Sequence, residues 1–295
     1  MRIRYSEMFW SFQGEAELAG TPSVWLRFFG CNLECNGFGQ DHPTQPDTWE
    51  LPYKDFDLIA VDRLENLPVW NKGCDSSYSW SNKFKHLAKD TDVDGACDQI
   101  ESLLPLGKFT HPVSQQENML SFTGGEPMLQ QKQMKEIVNT LVQRGNIPKL
   151  ITVETNGTKK LNKELQTYIN EYLYDIGVRW HWAISPKLFN TSGEVGQVLV
   201  DTFMSYIDST KSTGIIKFVC NGSEESWQEI EYCANEIRLF SKRAEISTPD
   251  IWIMPVGATK EEQENVESIC NSAMQKGYKV ATRNHCYVYG NKIGT

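Results

Sequence analysis

The chain has 295 residues, 40% of them hydrophobic and 11% aromatic, enough to bury a substantial core as one large domain or two small ones. Its 29 Lys and Arg against 38 Asp and Glu leave a formal net charge of −9, which argues against a broad nucleic-acid-binding face while leaving room for a local basic pocket around an anion. No run of about 18 apolar residues occurs, and the N-terminus lacks the apolar stretch of a signal peptide, so the expectation is a cytoplasmic protein without a membrane span whose eight cysteines are reduced thiols.

In chain order, residues 23–29 read as an opening strand. Residues 36–73 follow, rich in Pro and Asp at first and then studded with Phe56, Leu58, Ile59, Leu64 and Trp70. A linker would be poorer in large apolar side chains, so this segment is predicted to be an ordered insertion. From residue 115 on, β-rich runs at 118–122, 150–154, 180–184, 215–219, 250–254 and 278–282 start 28 to 35 residues apart. That period suits β-α units and a parallel sheet, because a parallel connection needs a crossover long enough to hold a helix.

Two of the intervening helices are legible as stripes, Met134, Ile137, Val138, Leu141 and Val142, then Val266, Ile269, Cys270, Ala273 and Met274. Thr259-Lys-Glu-Glu262 ahead of the second stripe is a capping box, and Gly277 is placed to end that helix. About seven strands predict an α/β fold, an open or partial TIM-like barrel rather than a complete eight-stranded one, formed as a single domain over 1–295 with 36–73 inserted.

Three cysteines stand apart. Cys31 and Cys35 follow a strand end and a glycine, and Cys74 lies just beyond the insertion, whereas Cys97, Cys220, Cys233, Cys270 and Cys286 read as packing residues, Cys270 most firmly because it falls on a helical stripe. Three thiolates on an iron-sulfur cluster would leave one iron open to the amino and carboxylate groups of S-adenosylmethionine. Ordinary buried thiols, or a zinc site with a fourth ligand, are the alternatives. Downstream, Thr123-Gly-Gly-Glu-Pro127 sits between a strand and a helix, where side-chain-free backbone can approach a partner closely.

Arg27-Phe-Phe-Gly-Cys31-Asn-Leu-Glu-Cys35 and the Gly-Gly-Glu-Pro segment resemble the cluster loop and cofactor segment of the radical S-adenosylmethionine superfamily. Phe38 stands where the commonest spacing would put the third cysteine, and Cys74-Asp-Ser resembles the family's Cys-Asp-Thr segment displaced by the insertion. Within that superfamily the chain is similar to the 7-carboxy-7-deazaguanine synthases, through Ser11-Phe-Gln-Gly-Glu15, Arg27, Glu154-Thr-Asn-Gly157, Ser185-Pro-Lys187, Met254-Pro-Val-Gly257, Arg283-Asn-His285 and the ending Tyr289-Gly-Asn-Lys-Ile-Gly-Thr295.

The resemblance implies a lyase that contracts the ring of 6-carboxy-5,6,7,8-tetrahydropterin to 7-carboxy-7-deazaguanine with loss of ammonia, in the deazaguanine pathways that end in modified tRNA or DNA. It implies a 4Fe-4S cluster on Cys31, Cys35 and Cys74, and Mg²⁺ at Ser76, where the family has threonine. Substrate would meet Phe12, Gln13, Gly14, Glu15, Arg27, Thr123, His285 and Thr295, and S-adenosylmethionine would meet Gly124, Gly125, Glu126, Glu154, Asn156, Ser185, Lys187 and Met254. A flavodoxin or ferredoxin as electron donor and a homodimer are further implications, with the 36–73 segment covering the cluster edge or shaping the dimer. Two other readings stay open here: an activase that takes hydrogen from a glycine of a partner protein, and a zinc-binding interaction protein.

Overall fold

The strands expected at the period of β-α units form one side-by-side run in the structure. The computed structural model describes residues 1–58 and 61–295, so Ile59 lies outside the described residues. The strands are β1 (Ile3–Phe12), β2 (Pro22–Phe28), β3 (Lys89–Thr91), β4 (Met119–Gly124), β5 (Leu150–Thr155), β6 (Arg179–Ile184), β7 (Thr213–Cys220), β8 (Asp250–Pro255) and β9 (Lys279–Val280). They make a nine-stranded sheet in the order β3-β1-β2-β4-β5-β6-β7-β8-β9. From β2 to β9 every neighbour is parallel, the layout that helical crossovers dictate. The fold is α/β, with the sheet open between its edge strands β3 and β9.

The sequence analysis missed β1 and β3, which add an antiparallel edge to the seven parallel strands. Their invisibility has a physical cause. Nine-residue alternation is absent from β1 because most of its length is buried, and β3 is a polar Lys-Asp-Thr with no periodic signal at all.

Helix Gln131–Gln143 turns Met134, Ile137, Val138 and Leu141 wholly into the core. The second stripe behaves differently. The capping box opens a separate short helix, Lys260–Gln263, and the next helix, Glu267–Gln275, starts after it with Val266 as its N-cap. In that helix Ala273 is buried, Cys270 is half-buried and Met274 is 59% exposed, so Cys270 is the least buried of the five cysteines assigned to packing. The helix covers the short edge strand β9, beyond which no sheet remains to receive the far side of its stripe. Gly277, at φ +79, ends it as expected. Among the described residues no helix is long and apolar enough to cross a membrane.

The insertion builds a second apolar cluster of Tyr53, Leu64, Leu67, Trp70, Tyr78 and Phe84, with Phe56 edge-on to Trp70 at 5.3 Å. The cluster also draws in residues beyond 73, as far as Phe84 and Leu87. Its two ends are pinned together: Gly73 N–H donates to the Phe38 carbonyl at 2.8 Å, and a Cβ on Gly39 would lie 2.2 Å from the Asn71 carbonyl oxygen. Gly39 also has φ +67, where a side chain is strained. Gly39→Ala should therefore cost at least about 1–3 kcal/mol in urea unfolding and speed proteolysis within the insertion. Unchanged unfolding and cleavage would show that this closure does not hold the segment.

Candidate active site at the strand ends

The loop after β2 carries the first two cysteines, and backbone contacts shape it. Gly30, at φ +119, donates its N–H to the Ser79 carbonyl at 2.7 Å and accepts from Glu126 N–H at 2.8 Å. A Cβ on Gly124 would meet the Phe28 oxygen at 2.3 Å, and one on Gly125 would meet the Gly30 oxygen at 2.2 Å and Cys31 Cβ at 2.8 Å. The two glycines thus let the segment after β4 lie directly on the cysteine loop. Cys35 is held at φ +53, with its N–H and that of Glu34 both donating to Glu194 Oε1, at 2.7 and 2.8 Å.

Cys31, Cys35 and Cys74 line one cavity of about 290 Å³. Burial pushes the Cys31 thiol up to about 12 and raises Cys35 and Cys74 as well; the thiols of Cys31 and Cys35 are raised further by that of Cys74, and Lys187 acts on both in the opposite direction. Three desolvated thiols, two of them under the influence of a lysine, suit a group that brings its own positive charge and takes them as thiolates. Among the described residues no three His, Cys, Asp or Glu side chains are gathered around one point as ligands of a single metal ion. All three cysteines border the same cavity, as three ligands of one iron-sulfur cluster would have to. Lys187 Nζ lies 5.8 Å from the centre of the Phe38 ring, so the position expected for a third cysteine presents an aromatic face to a cation.

Beneath the cavity runs a continuous layer of charge. Lys217 on β7 is 2% exposed and donates to Glu15 Oε2 and Glu154 Oε2, each at 2.7 Å. Gln13 Nε2 donates to the other Glu154 oxygen at 2.9 Å. Arg283 donates to Glu15 Oε1 at 3.2 Å, to the Gly257 carbonyl at 2.8 Å and to Asp75 Oδ2 at 2.8 Å. Burial alone would raise Glu15 and Asp75, but Lys217 and Arg283 bring Glu15, and Arg283 brings Asp75, below the usual carboxylate range. A second group sits beside it: Arg27 Nε donates to Glu7 Oε1 at 2.7 Å and Tyr78 OH to the same oxygen at 2.9 Å. The Arg27 guanidinium lies 6.0 Å from the Phe9 ring centre and 5.7 Å from that of Tyr78.

The C-terminal segment closes the arrangement. Asn284 N–H donates to the Gly14 carbonyl at 2.9 Å, and a Cβ on Gly14 would stand 2.1 Å from His285 Nδ1, so the glycine is what admits the histidine. Burial, helped by Arg283, lowers His285 to about 4 and keeps it neutral. Residues 291–295 border the cavity, and Ile293 packs on the insertion's apolar cluster.

No family model matches the chain. Proteins called 7-carboxy-7-deazaguanine synthase are similar to it over nearly its whole length. One from Pyrobaculum aerophilum is 24% identical over 296 residues, covering 99% of this chain and 97% of that protein. One from Rhodopirellula baltica is 25% identical over 308 residues, covering 98% and 88%, and one from Halobacterium salinarum is 26% identical over 298 residues, covering 95% and 88%. The crystal structure of QueE from Escherichia coli shares the fold, with a TM-score of 0.52 at 14% identity across 97% of this chain and 95% of that one. The chain is similar in sequence to the 7-carboxy-7-deazaguanine synthases and shares the fold of QueE.

Of the site residues that the synthase resemblance implies, Cys31, Cys35, Cys74, Ser76, Phe12, Gln13, Gly14, Glu15, Arg27, Thr123, His285, Thr295, Gly124, Gly125, Glu154, Asn156, Ser185, Lys187 and Met254 all border the one cavity. Glu126 does not: its carboxylate is buried and accepts from Met128 N–H, Thr155 OH and Asn156 N–H at 2.9, 2.7 and 2.7 Å. It ties the turn after β4 to the turn after β5. The amide of Gln13 is likewise engaged within the protein, by Glu154 and by Glu15 N–H. Ser76 Oγ lies 3.5 Å from Cys74 Sγ.

Sequence reasoning did not single out Glu7, Tyr78, Asp75, Lys217 or Glu194. Lys217 alone left a signal, a charge inside the apolar run Ile215-Ile-Lys-Phe-Val219, which asks for a buried counter-ion.

Lys217→Met should destabilise the protein by about 3–5 kcal/mol in urea unfolding, since it strands two buried carboxylates, and adding Glu154→Gln should restore part of the loss; equal stability of wild type and single variant would mean that the layer is solvated. The pH dependence has a definite sign. His181 and His285 are both held near 4, below the ordinary value of about 6.5, so between those limits the unfolded chain binds more protons and stability falls as pH drops from about 6.5 to about 4. Glu15 and Asp75, lowered from ordinary carboxylate values, add a further loss below that window. His285→Asn should reduce the fall in urea midpoint between pH 7 and pH 5; an undiminished fall would assign it to other groups.

Proposed function

We infer that this chain is a 7-carboxy-7-deazaguanine synthase, which converts 6-carboxy-5,6,7,8-tetrahydropterin to 7-carboxy-7-deazaguanine and releases ammonia. The observation that carries the reading is the joint placement of three desolvated thiols and a set of fixed charges around one cavity, in a chain similar end to end to proteins of that name. Residues 1–295 act as one domain, in the cytoplasm and as a homodimer, with a flavodoxin or ferredoxin as reductant. The insertion covers the cluster edge.

When bound, a 4Fe-4S cluster and S-adenosylmethionine supply the one-electron chemistry that opens the reaction by hydrogen abstraction. Cys31, Cys35 and Cys74 would hold the cluster. The segments around Gly124, Gly125, Asn156, Ser185, Lys187 and Met254 face the cofactor, and Glu126 acts by positioning two of those turns.

Arg27 receives the pterin carboxylate, its fork oriented through Nε by Glu7, whose accepting oxygen Tyr78 OH also holds. Ser76, beside Cys74, offers a hydroxyl to Mg²⁺, which takes few protein ligands and fills its octahedron with water and substrate. Glu15 and Glu154, each accepting a hydrogen bond from Lys217, retain lone pairs that suit the N–H-rich edge of a pterin. The C-terminal segment, docked on Gly14, excludes water from that layer.

Anaerobic incubation of reconstituted protein with S-adenosylmethionine, dithionite, Mg²⁺ and the pterin should yield 7-carboxy-7-deazaguanine by mass from wild type and none from Cys74→Ala. A wild type that cleaves the cofactor but makes no product would overturn the substrate, and a fully active Cys74→Ala would overturn the ligand set. Tyr78→Phe, which removes one hydrogen bond, should raise KM for the pterin several-fold with kcat little changed.

A further inference from the structure

A second and much smaller pocket lies one side-chain layer below the charge layer, inside the sheet. Along β5, β6 and β7 the inward positions alternate, so Thr152 underlies Glu154, His181 underlies Ala183 and Ile215 underlies Lys217. These six residues, with Gln13, Glu15 and Leu18, enclose a space of about 10 Å³, the room that one water molecule occupies.

Three of the residues around this space carry a polar side-chain atom with unused hydrogen-bonding capacity. His181 is 2% exposed; its Nδ1 lies 2.8 Å from Thr213 Oγ1 and 3.4 Å from Glu17 Oε1, but its Nε2 has no partner among the described residues. Lys217 carries three N–H donors and spends two, on Glu15 and Glu154. Thr152 donates to Ser121 Oγ at 2.9 Å and keeps an acceptor lone pair. Burial and the positive charges of Lys217 and Arg179 hold the imidazole neutral, so one ring nitrogen is an acceptor.

We propose that this pocket binds a single water molecule, which accepts the third ammonium proton of Lys217 and donates to Nε2 of a His181 protonated on Nδ1. The Nδ1 proton then goes to Thr213 or Glu17, both within reach. Only a small uncharged molecule that both accepts and donates satisfies the two sides at once; a cation would sit against the ammonium, and an apolar occupant would leave Nε2 unpaired. The water makes His181 part of the floor of the cavity above it and fixes the direction of every Lys217 proton. This inference does not depend on the reaction that the cavity supports.

The test has two readouts on wild-type protein. A crystal structure should show a density peak about 2.7–3.2 Å from both Lys217 Nζ and His181 Nε2, and ¹⁵N chemical shifts of the histidine ring should mark Nε2 as the bare nitrogen. A dry pocket, or a His181 protonated on Nε2, overturns the proposal. His181→Phe should remove the peak while leaving the Lys217 bonds to Glu15 and Glu154 in place; a peak that persists beside the phenyl ring would mean that His181 does not hold the water.

Discussion

The contact on which the rest of the structure depends is the buried ammonium of Lys217 between Glu15 and Glu154. Charges taken out of water return their desolvation cost only when every partner is in place. Here the partners come from the loop after β1, from β5, from β7 and, through Arg283 and Asp75, from the C-terminal segment and the loop that carries Cys74. The layer is therefore better understood as a device that fixes the relative position of distant segments than as a source of net stability. Because Asp75 follows Cys74 directly, the same layer places the third thiol of the displaced cysteine set.

The cysteine loop depends on a second constraint of a different kind, backbone against backbone. Gly124 and Gly125 lie against the carbonyls of Phe28 and Gly30, and Glu126 closes the next turn with its carboxylate. The Gly-Gly-Glu-Pro segment thus has a structural task, which is to seat the first cysteine. The insertion solves a third problem. It lengthens the path between Cys35 and Cys74, yet its ends are joined at Phe38 and Gly73, so both thiols reach the same cavity.

The parallel strands were legible in the sequence because short β-rich runs recur at the β-α period and the crossover helix Gln131–Gln143 is amphipathic. The opening strand β1 was not, because burial along most of its length removes the alternation that marks a half-buried strand. The packing of the insertion was only partly legible, because its core also draws in Tyr78, Trp80 and Phe84 from the far side of Cys74. In the site, motif resemblance found residues that touch the cavity, while Lys217, Asp75 and Tyr78 depend on partners that only the fold brings near. Glu126 shows the converse, a motif residue whose side chain the fold turns inward.

The central claim is that Cys31, Cys35 and Cys74 together hold a cluster with one iron free of protein ligands. Mössbauer spectra of ⁵⁷Fe-reconstituted protein, taken with and without S-adenosylmethionine, test it most directly. The account predicts that one of the four irons changes its signal when the cofactor is added while the other three keep theirs. Four irons that stay equivalent in both spectra, or a protein that takes up zinc and no iron, would contradict it.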